Sequence, residues 1–361
     1  MFGTHEPKLY PLKKSIQTWG KSIRETVDPK GIRSDVESFP APRNRMYNSE
    51  AMTLADNMIL DKFTAAGWLA EKQPFTFDNV EGIKDISPST TISAGLKIED
   101  IYKVYDRLEG SNIIATKKGI DQSDKAIVII GHHDTVKASP GANDNTASVA
   151  AIIELARILQ PYKFSKSVIL AMPDFEEIGF MGAKALVESF LNSYQLFGVI
   201  NYETMGCVNK EPGSQIVPQG IDLLYKDQYK RMRDNESRGD FTCLIYNGKA
   251  TGIVSLLGSA LNYVTDNTTT ICLRDPNDLP VIGKLLGILV PAVRNFARSD
   301  HSVFWKVGIP AFMVTDTANF RYEHYHQPTD TAEKVDYARI ADIIAATAMV
   351  IAETAGLVQE S

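Results

Sequence analysis

Six short, nearly continuous apolar runs punctuate the chain: SNIIAT (111–116), KAIVIIG (125–131), SVILAM (167–172), FGVINYE (197–203), FTCLIY (241–246) and IPAFMV (309–314). Runs of this length, rich in β-branched residues and bounded by turn formers, predict strands, and KAIVIIG and SVILAM read as strands buried on both faces. Between and around them, apolar residues recur at helical spacing. This predicts helices over about Ser49–Ala66 (Met52, Leu54, Ala55, Met58, Ile59 and Phe63 at helical spacing, Gly67 at the stop), Asn145–Leu159, Ala183–Phe190 and Asp336–Ala355. Strands alternating with helices predict an α/β fold: a mostly parallel, mixed sheet with helices on both faces. Residues 71–105 read as mixed strand and loop. Residues 1–45, polar and broken by Pro29, Pro40 and Pro42, read as an N-terminal arm or linker, leaving 46–361 as a single domain.

Composition changes this picture little. Apolar residues make up 44% and charged residues 23% of the 361, as in ordinary globular proteins. The formal charge of -6 leaves no basic excess for a nucleic-acid partner. The longest apolar run, Leu285–Val293, is interrupted by Gly287 and Pro291 and is too short for a bilayer span, so no membrane partner is expected. The first twenty residues show no apolar signal-peptide core, and a soluble protein is expected. Cys207, Cys243 and Cys272 are too few and too scattered for a disulfide framework or a thiolate metal site.

Metal-capable residues follow the predicted strands, which is where open α/β sheets build their sites. HHDT (132–135) places His132 at a strand end, with Asp134 two residues on to orient its ring. In PGANDNTAS, Asp144 stands near a helix start, where it can serve as an N-cap or as a carboxylate bridge between two cations. In PDFEEIG, adjacent Glu176 and Glu177 follow a buried strand, so that one can hold a metal while the other moves a proton. Glu203 ends another strand, YHQPTDT supplies His326 and Asp330, and RSDH supplies Asp300 and His301. Two histidines and three carboxylates form a nitrogen and oxygen donor set suited to zinc, with manganese or cobalt as substitutes.

The ordered motifs HHD, GANDN, EEIG, NYETMG, SDH and YHQPTDT resemble metallopeptidase family 28, the co-catalytic zinc aminopeptidases, over roughly residues 45–355. The resemblance implies a zinc-exopeptidase, phosphorylase/hydrolase-like scaffold and two Zn(2+) ions per chain. His132, Asp144 and Glu203 would hold one ion and Asp144, Glu177 and His326 the other, with Asp144 bridging. It implies Glu176 as general base and acid, Asp134 as support for His132, and Tyr325 as a stabiliser of the oxyanion. The substrate would be a peptide with a free N-terminus. Glu203 stands where the family usually has Asp, and His133 where it commonly has a larger residue. Glutaminyl cyclase-like or carboxypeptidase activity on the same scaffold, or an inactive binding protein, are the alternatives. The segment from Cys207 to Arg298 is expected to supply much of the pocket wall.

Overall fold

The computed structural model describes residues 6–81, 104–265, 270–279 and 283–358. The central feature is an eight-stranded sheet. Its strands are β1 (Leu69–Glu81), β2 (Val104–Lys117), β3 (Gln122–Ile130), β5 (Lys166–Met172), β6 (Gln195–Glu203), β7 (Thr242–Tyr246), β8 (Thr270–Arg274) and β9 (Ala311–Thr315). They lie in the order β1-β2-β5-β3-β6-β9-β7-β8, while β4 (Lys163–Phe164) and β10 (Leu357–Val358) form a separate two-stranded pair. Strands β5, β3, β6 and β9 run parallel, β7 and β8 run parallel to each other but against β9, and β1 and β2 form an antiparallel edge. The sheet is thus mixed and largely parallel. Of the stretch expected as mixed strand and loop, residues 82–103 lie outside the described residues.

The alternation of side chains along the inner strands sorts them into two apolar layers. Ile127 and Ile129 of β3 face one layer together with Leu170 and Ile200, and Val128 and Ile130 face the other with Ile169 and Val199. The first layer is completed by α3 (Ser49–Ala65), α4 (Ala147–Leu159), α8 (Thr251–Val264) and α11 (Tyr337–Ile351), and the second by α5 (Met181–Ser193) and α10 (His301–Lys306). A further cluster lies under the β7–β8 end, between the sheet and α6 (Ile221–Leu224), α7 (Lys226–Asp234) and α9 (Gly283–Leu289). No helix among the described residues is long and apolar enough to cross a membrane.

The N-terminal stretch departs from the expected arm. It forms α1 (Lys14–Thr26) and α2 (Pro29–Ser38), whose Ile16, Ile23, Ile32 and Val36 are buried in the main core. The helices are short, and few of their residues are apolar, so the periodicity is thin. The prolines act as boundaries: Pro29 is the first residue of α2, where its missing N–H costs nothing, and Asp28 caps the same helix through Lys30 N. Residues 43–45 then run behind the strand ends. Arg43 is fully buried and donates to His133 O (2.6 Å), Thr146 Oγ1 (2.9 Å) and Pro40 O (3.3 Å).

Candidate metal centre

Three parallel strands end side by side at one edge of the sheet and deliver His132, the Glu176–Glu177 loop and Glu203. Asp144 arrives from the turn before α4, and His326, with a left-handed φ of 59°, from the loop after β9. All five expected ligands converge. His132 Nε2 lies 3.3 Å from Asp144 Oδ1 and 3.4 Å from Glu203 Oε2. His326 Nε2 lies 3.0 Å from Asp144 Oδ2 and 3.5 Å from Glu177 Oε2. Asp144 therefore stands between the two imidazoles, one oxygen toward each.

The donor atoms fall into two overlapping groups. Atoms of His132, Asp144 and Glu177 lie within 4.8 Å of one another, as do atoms of His132, Glu176 and Glu203. By distance alone Glu176 is as close to the cluster as the expected ligands.

The groups fit a cation. His132 Nε2, His326 Nε2, both oxygens of Asp144 and Glu177 Oε1 are buried and make no hydrogen bond. Leaving such atoms without partners is costly unless a proton or a metal bridges them. His132 Nδ1–H donates to the main-chain oxygen of Asp134 (3.1 Å), which turns the Nε2 lone pair toward the two carboxylates. An imidazole lone pair facing anions is an arrangement for a divalent ion, and a thiolate-free set of this kind suits zinc.

The electrostatics point the same way. Burial, reinforced by the neighbouring carboxylates, pushes Glu176 and Glu177 well above the usual carboxyl range. Burial opposes charge on Asp144 as well, but the two imidazoles outweigh it and hold that carboxyl low. Burial would lower His132, yet Glu203 and Glu176 hold it well above the ordinary histidine value. The cluster thus draws positive charge to itself.

Asp134 acts in a way its position in the chain does not reveal. Its carboxylate Oδ1 lies 3.4 Å from His132 Nδ1, but the same carboxylate also accepts the main-chain N–H groups of Glu176 (3.1 Å) and Glu177 (3.3 Å) and the side-chain amide of Asn44 (3.1 Å). One residue ties three segments together. Tyr325 stacks on His326, with ring centroids 3.9 Å apart. His133 points away from the cluster: its Nε2 meets Asp56 Oδ1 at 3.0 Å, and its Nδ1 lies 2.8 Å from Pro173 O. Arg45 joins Asp56 to Asp174 in the same buried network.

Several supporting residues escape a reading of the sequence. Ser299 donates to Glu203 Oε2 at 2.8 Å, and Asn44 and Arg43 come from the stretch read as a linker. The RSDH segment is the one signal that pointed to Ser299. Nothing local marks Arg43 or Asn44.

The sequence profile of peptidase family M28 matches residues 112–239 and 287–351, more than half of the chain. The chain belongs to peptidase family M28. Among the curated relatives of this M28 chain, the uncharacterized protein YfbL of Escherichia coli is 30% identical over 237 residues, 62% of this chain and 65% of the relative. A vacuolar membrane protease of Schizosaccharomyces japonicus is 32% identical over 142 residues, 39% of this chain and 16% of that protein. The chain spans less than two thirds of the length of these relatives. Its fold is that of an aminopeptidase from Aneurinibacillus sp. strain AM-1 (TM-score 0.60, 18% identity, 92% of this chain and 96% of that one). It is equally similar to a glutaminyl cyclase from Fimbriiglobus ruber (TM-score 0.60, 17% identity, 90% and 95% covered).

Proposed function

We propose that this M28 chain is a zinc-dependent aminopeptidase that removes N-terminal residues from peptides, with two zinc ions held at the edge of the sheet. The observation that carries this reading is the position of Asp144 between His132 and His326, one carboxylate oxygen toward each. A carboxylate placed so can bridge a pair of ions, with Glu203 completing the first position and Glu177 the second. Zinc held there supplies Lewis acidity and lowers the pKa of water toward neutrality.

The chain's own residues do the rest. Glu176, raised by burial, takes a proton from the attacking water and returns it to the departing amine. Asp134 holds the main-chain N–H of Glu176 and so fixes where that proton is received. Tyr325, which burial keeps protonated well beyond its ordinary range, donates to the developing oxyanion. Glu203, at the mouth of an adjoining cavity, faces the ammonium group of the substrate.

A panel of aminoacyl amides and of peptides blocked at either end, assayed with zinc and after chelation, tests the proposal. Release of free N-terminal residues that stops on chelation and returns with zinc is the expected result. Cleavage of N-blocked peptides only, or ring closure of N-terminal glutamine with release of ammonia, would replace it with the carboxypeptidase or cyclase reading.

A further inference from the structure

Arg43 is fully buried, and each nitrogen of its guanidinium has an acceptor. Nε–H donates to His133 O at 2.6 Å, Nη2 to Thr146 Oγ1 at 2.9 Å and Nη1 to Pro40 O at 3.3 Å. The guanidinium lies over the Phe39 ring, 5.5 Å from its centroid. The main chain adds a second attachment. Arg43 N–H donates to Thr135 Oγ1 at 3.0 Å, and Thr135 N–H donates to Arg43 O at 2.8 Å. The next two residues serve other segments: Asn44 reaches Asp134, and Arg45 reaches Asp56 and Asp174.

The guanidinium thus joins two segments that carry expected ligands. His133 follows His132 just past the end of β3. Thr146 stands two residues after Asp144, and its hydroxyl passes the contact on by donating to Gly141 O at 2.6 Å. Thr146 N–H donates to the same oxygen at 3.0 Å. The turn that holds Asp144 is closed at its base in this way. Gly141 takes a left-handed φ of 66° there, and a Cβ on it would lie 2.4 Å from Asp144 O. One planar group therefore spans from the strand end of His132 to the base of the Asp144 turn. On the far side of that span, His132 Nε2 and Asp144 Oδ1 stand 3.3 Å apart.

A charge in this place is expensive. The three acceptors of the guanidinium are all uncharged. Burial pulls Arg43 down to about 10, with Asp134 foremost among the groups that oppose the fall, so it stays charged at neutral pH. An apolar side chain of similar volume would fill the space at lower cost. It would not meet acceptors on separate segments in fixed directions. The rigid fork of a guanidinium does so, and the single nitrogen of a lysine does not.

Resting on the metal-centre reading of the adjoining site, we propose that Arg43 is the positioning residue that sets the spacing between His132 and Asp144, so that both donors face one cation before it arrives. Arg43 acts through His133 O and through the Thr146–Gly141 contact.

Chelator competition for zinc and the visible spectrum of the cobalt-loaded protein test this in Arg43→Lys, Arg43→Met, Thr146→Val and the double variant carrying Arg43→Met and Thr146→Val. Both Arg43 variants are expected to bind zinc about 10–100-fold more weakly, as loss of the groups behind a metal ligand does, and to alter the cobalt bands, which report the arrangement of the donor atoms. Thr146→Val loses part of the same affinity. The double variant is expected to be no weaker than Arg43→Met, because both changes cut one path. Folded Arg43 variants with natural affinity and bands overturn the proposal, and so do single losses that simply multiply in the double variant. Lower thermal stability of the metal-free variants with both readouts unchanged makes Arg43 a core residue only. If no Arg43 variant folds, Thr146→Val decides alone, and natural affinity and bands in that protein overturn the proposal. Weaker zinc binding in the variants of a protein that hydrolyses no aminoacyl amide keeps the role of Arg43 and removes the peptidase reading. Hydrolysis by the natural protein with unchanged zinc binding in the variants does the reverse.

Discussion

The carboxylate of Asp330 accepts the main-chain N–H of Asp144 through Oδ2 at 3.1 Å and that of Asn143 through Oδ1 at 2.9 Å. Tyr322 donates to the same Oδ1 at 2.7 Å, and the main-chain oxygen of Asp330 receives the N–H of Ala142. The loop that carries His326 thereby grips the turn that carries Asp144. Asp330 touches neither imidazole, so its influence on the cluster runs through the backbone it holds. Asp330→Asn keeps the shape but replaces one of the two accepting oxygens by an NH2 donor, so one of the two N–H groups loses its acceptor. It is expected to weaken zinc binding by about 10–100-fold, as loss of outer partners of a metal site does. Competition with a chromophoric chelator measures this directly, and an unchanged affinity would deny Asp330 the positioning role.

Replacing Glu176 by Gln removes the proposed proton carrier and leaves the proposed ligands in place. Turnover is expected to drop by roughly 10²–10⁴. Zinc content, read by elemental analysis, should stay at the natural level. A variant that keeps its activity would take the general-base role away from Glu176. A variant that loses zinc would assign Glu176 to the ligand set, which its closeness to His132 and Glu203 makes a real distinction.

His326→Ala takes away one of the two imidazoles that flank Asp144. If two ions share the Asp144 carboxylate, as proposed, this variant is expected to hold about one ion fewer than the natural protein. The remaining ion should titrate separately, with His132, Asp144 and Glu203 around it. Equal zinc content in the two proteins would strike His326 from the ligands.

His301 gives the fold a distinctive pH dependence. Its ring is buried, stacks edge-on against Trp305 at 4.6 Å, and lies between Phe296 O (2.8 Å from Nε2) and the Asn201 amide (3.4 Å from Nδ1). Burial pushes its pKa down to about 4 from 6.5. Below pH 6.5 the unfolded chain binds a proton that the folded ring refuses, so this contribution to stability declines as the pH falls toward 4 and is constant below. The shift corresponds to roughly 3 kcal/mol. Asp316 and Asp330, raised by burial to about 6, act in the opposite sense over the same range, since their folded forms take up protons first. The comparison that isolates His301 is therefore with His301→Asn. The stability gap between the two proteins, from urea unfolding, should narrow as the pH drops from 7 to 4, and a constant gap would contradict the buried neutral ring.

Gly20 marks the contact that makes α1 part of the core. A Cβ at this position would come within 2.3 Å of Met349 Sδ on α11. Gly20→Val is expected to destabilise the protein by about 1–3 kcal/mol through overpacking. Exposed neighbours such as Lys21 should accept substitution at almost no cost. Equal effects at the two positions would mean that α1 is not docked as described.

Much of the architecture could be read along the chain because its signals are local. KAIVIIG and SVILAM are continuous β-branched or apolar runs, and both form inner strands whose side chains are buried over Ala126–Ile130 and Ser167–Met172. Ser49–Ala65 carries its helix in its own spacing and ends before Gly67, whose φ of 75° suits glycine. The ordered motifs were sufficient to identify the family and to name the five residues that converge, because a side chain that follows a parallel strand has only one edge of the sheet to go to.

What the tertiary structure alone decided depends on contacts between segments far apart in sequence. Arg43 and Asn44 look like linker residues until His133, Thr146 and Asp134 are brought against them. Asp134 serves the Glu176–Glu177 loop because β3 and β5 end side by side, a matter of register rather than spacing. Glu203, Thr315, Cys243 and Ile271 lie in register on four strands, and no stretch of the chain contains them together. Hydrophobic periodicity records which face a residue will bury, but strand order and register determine what it meets there, and these follow from the packing of the whole sheet.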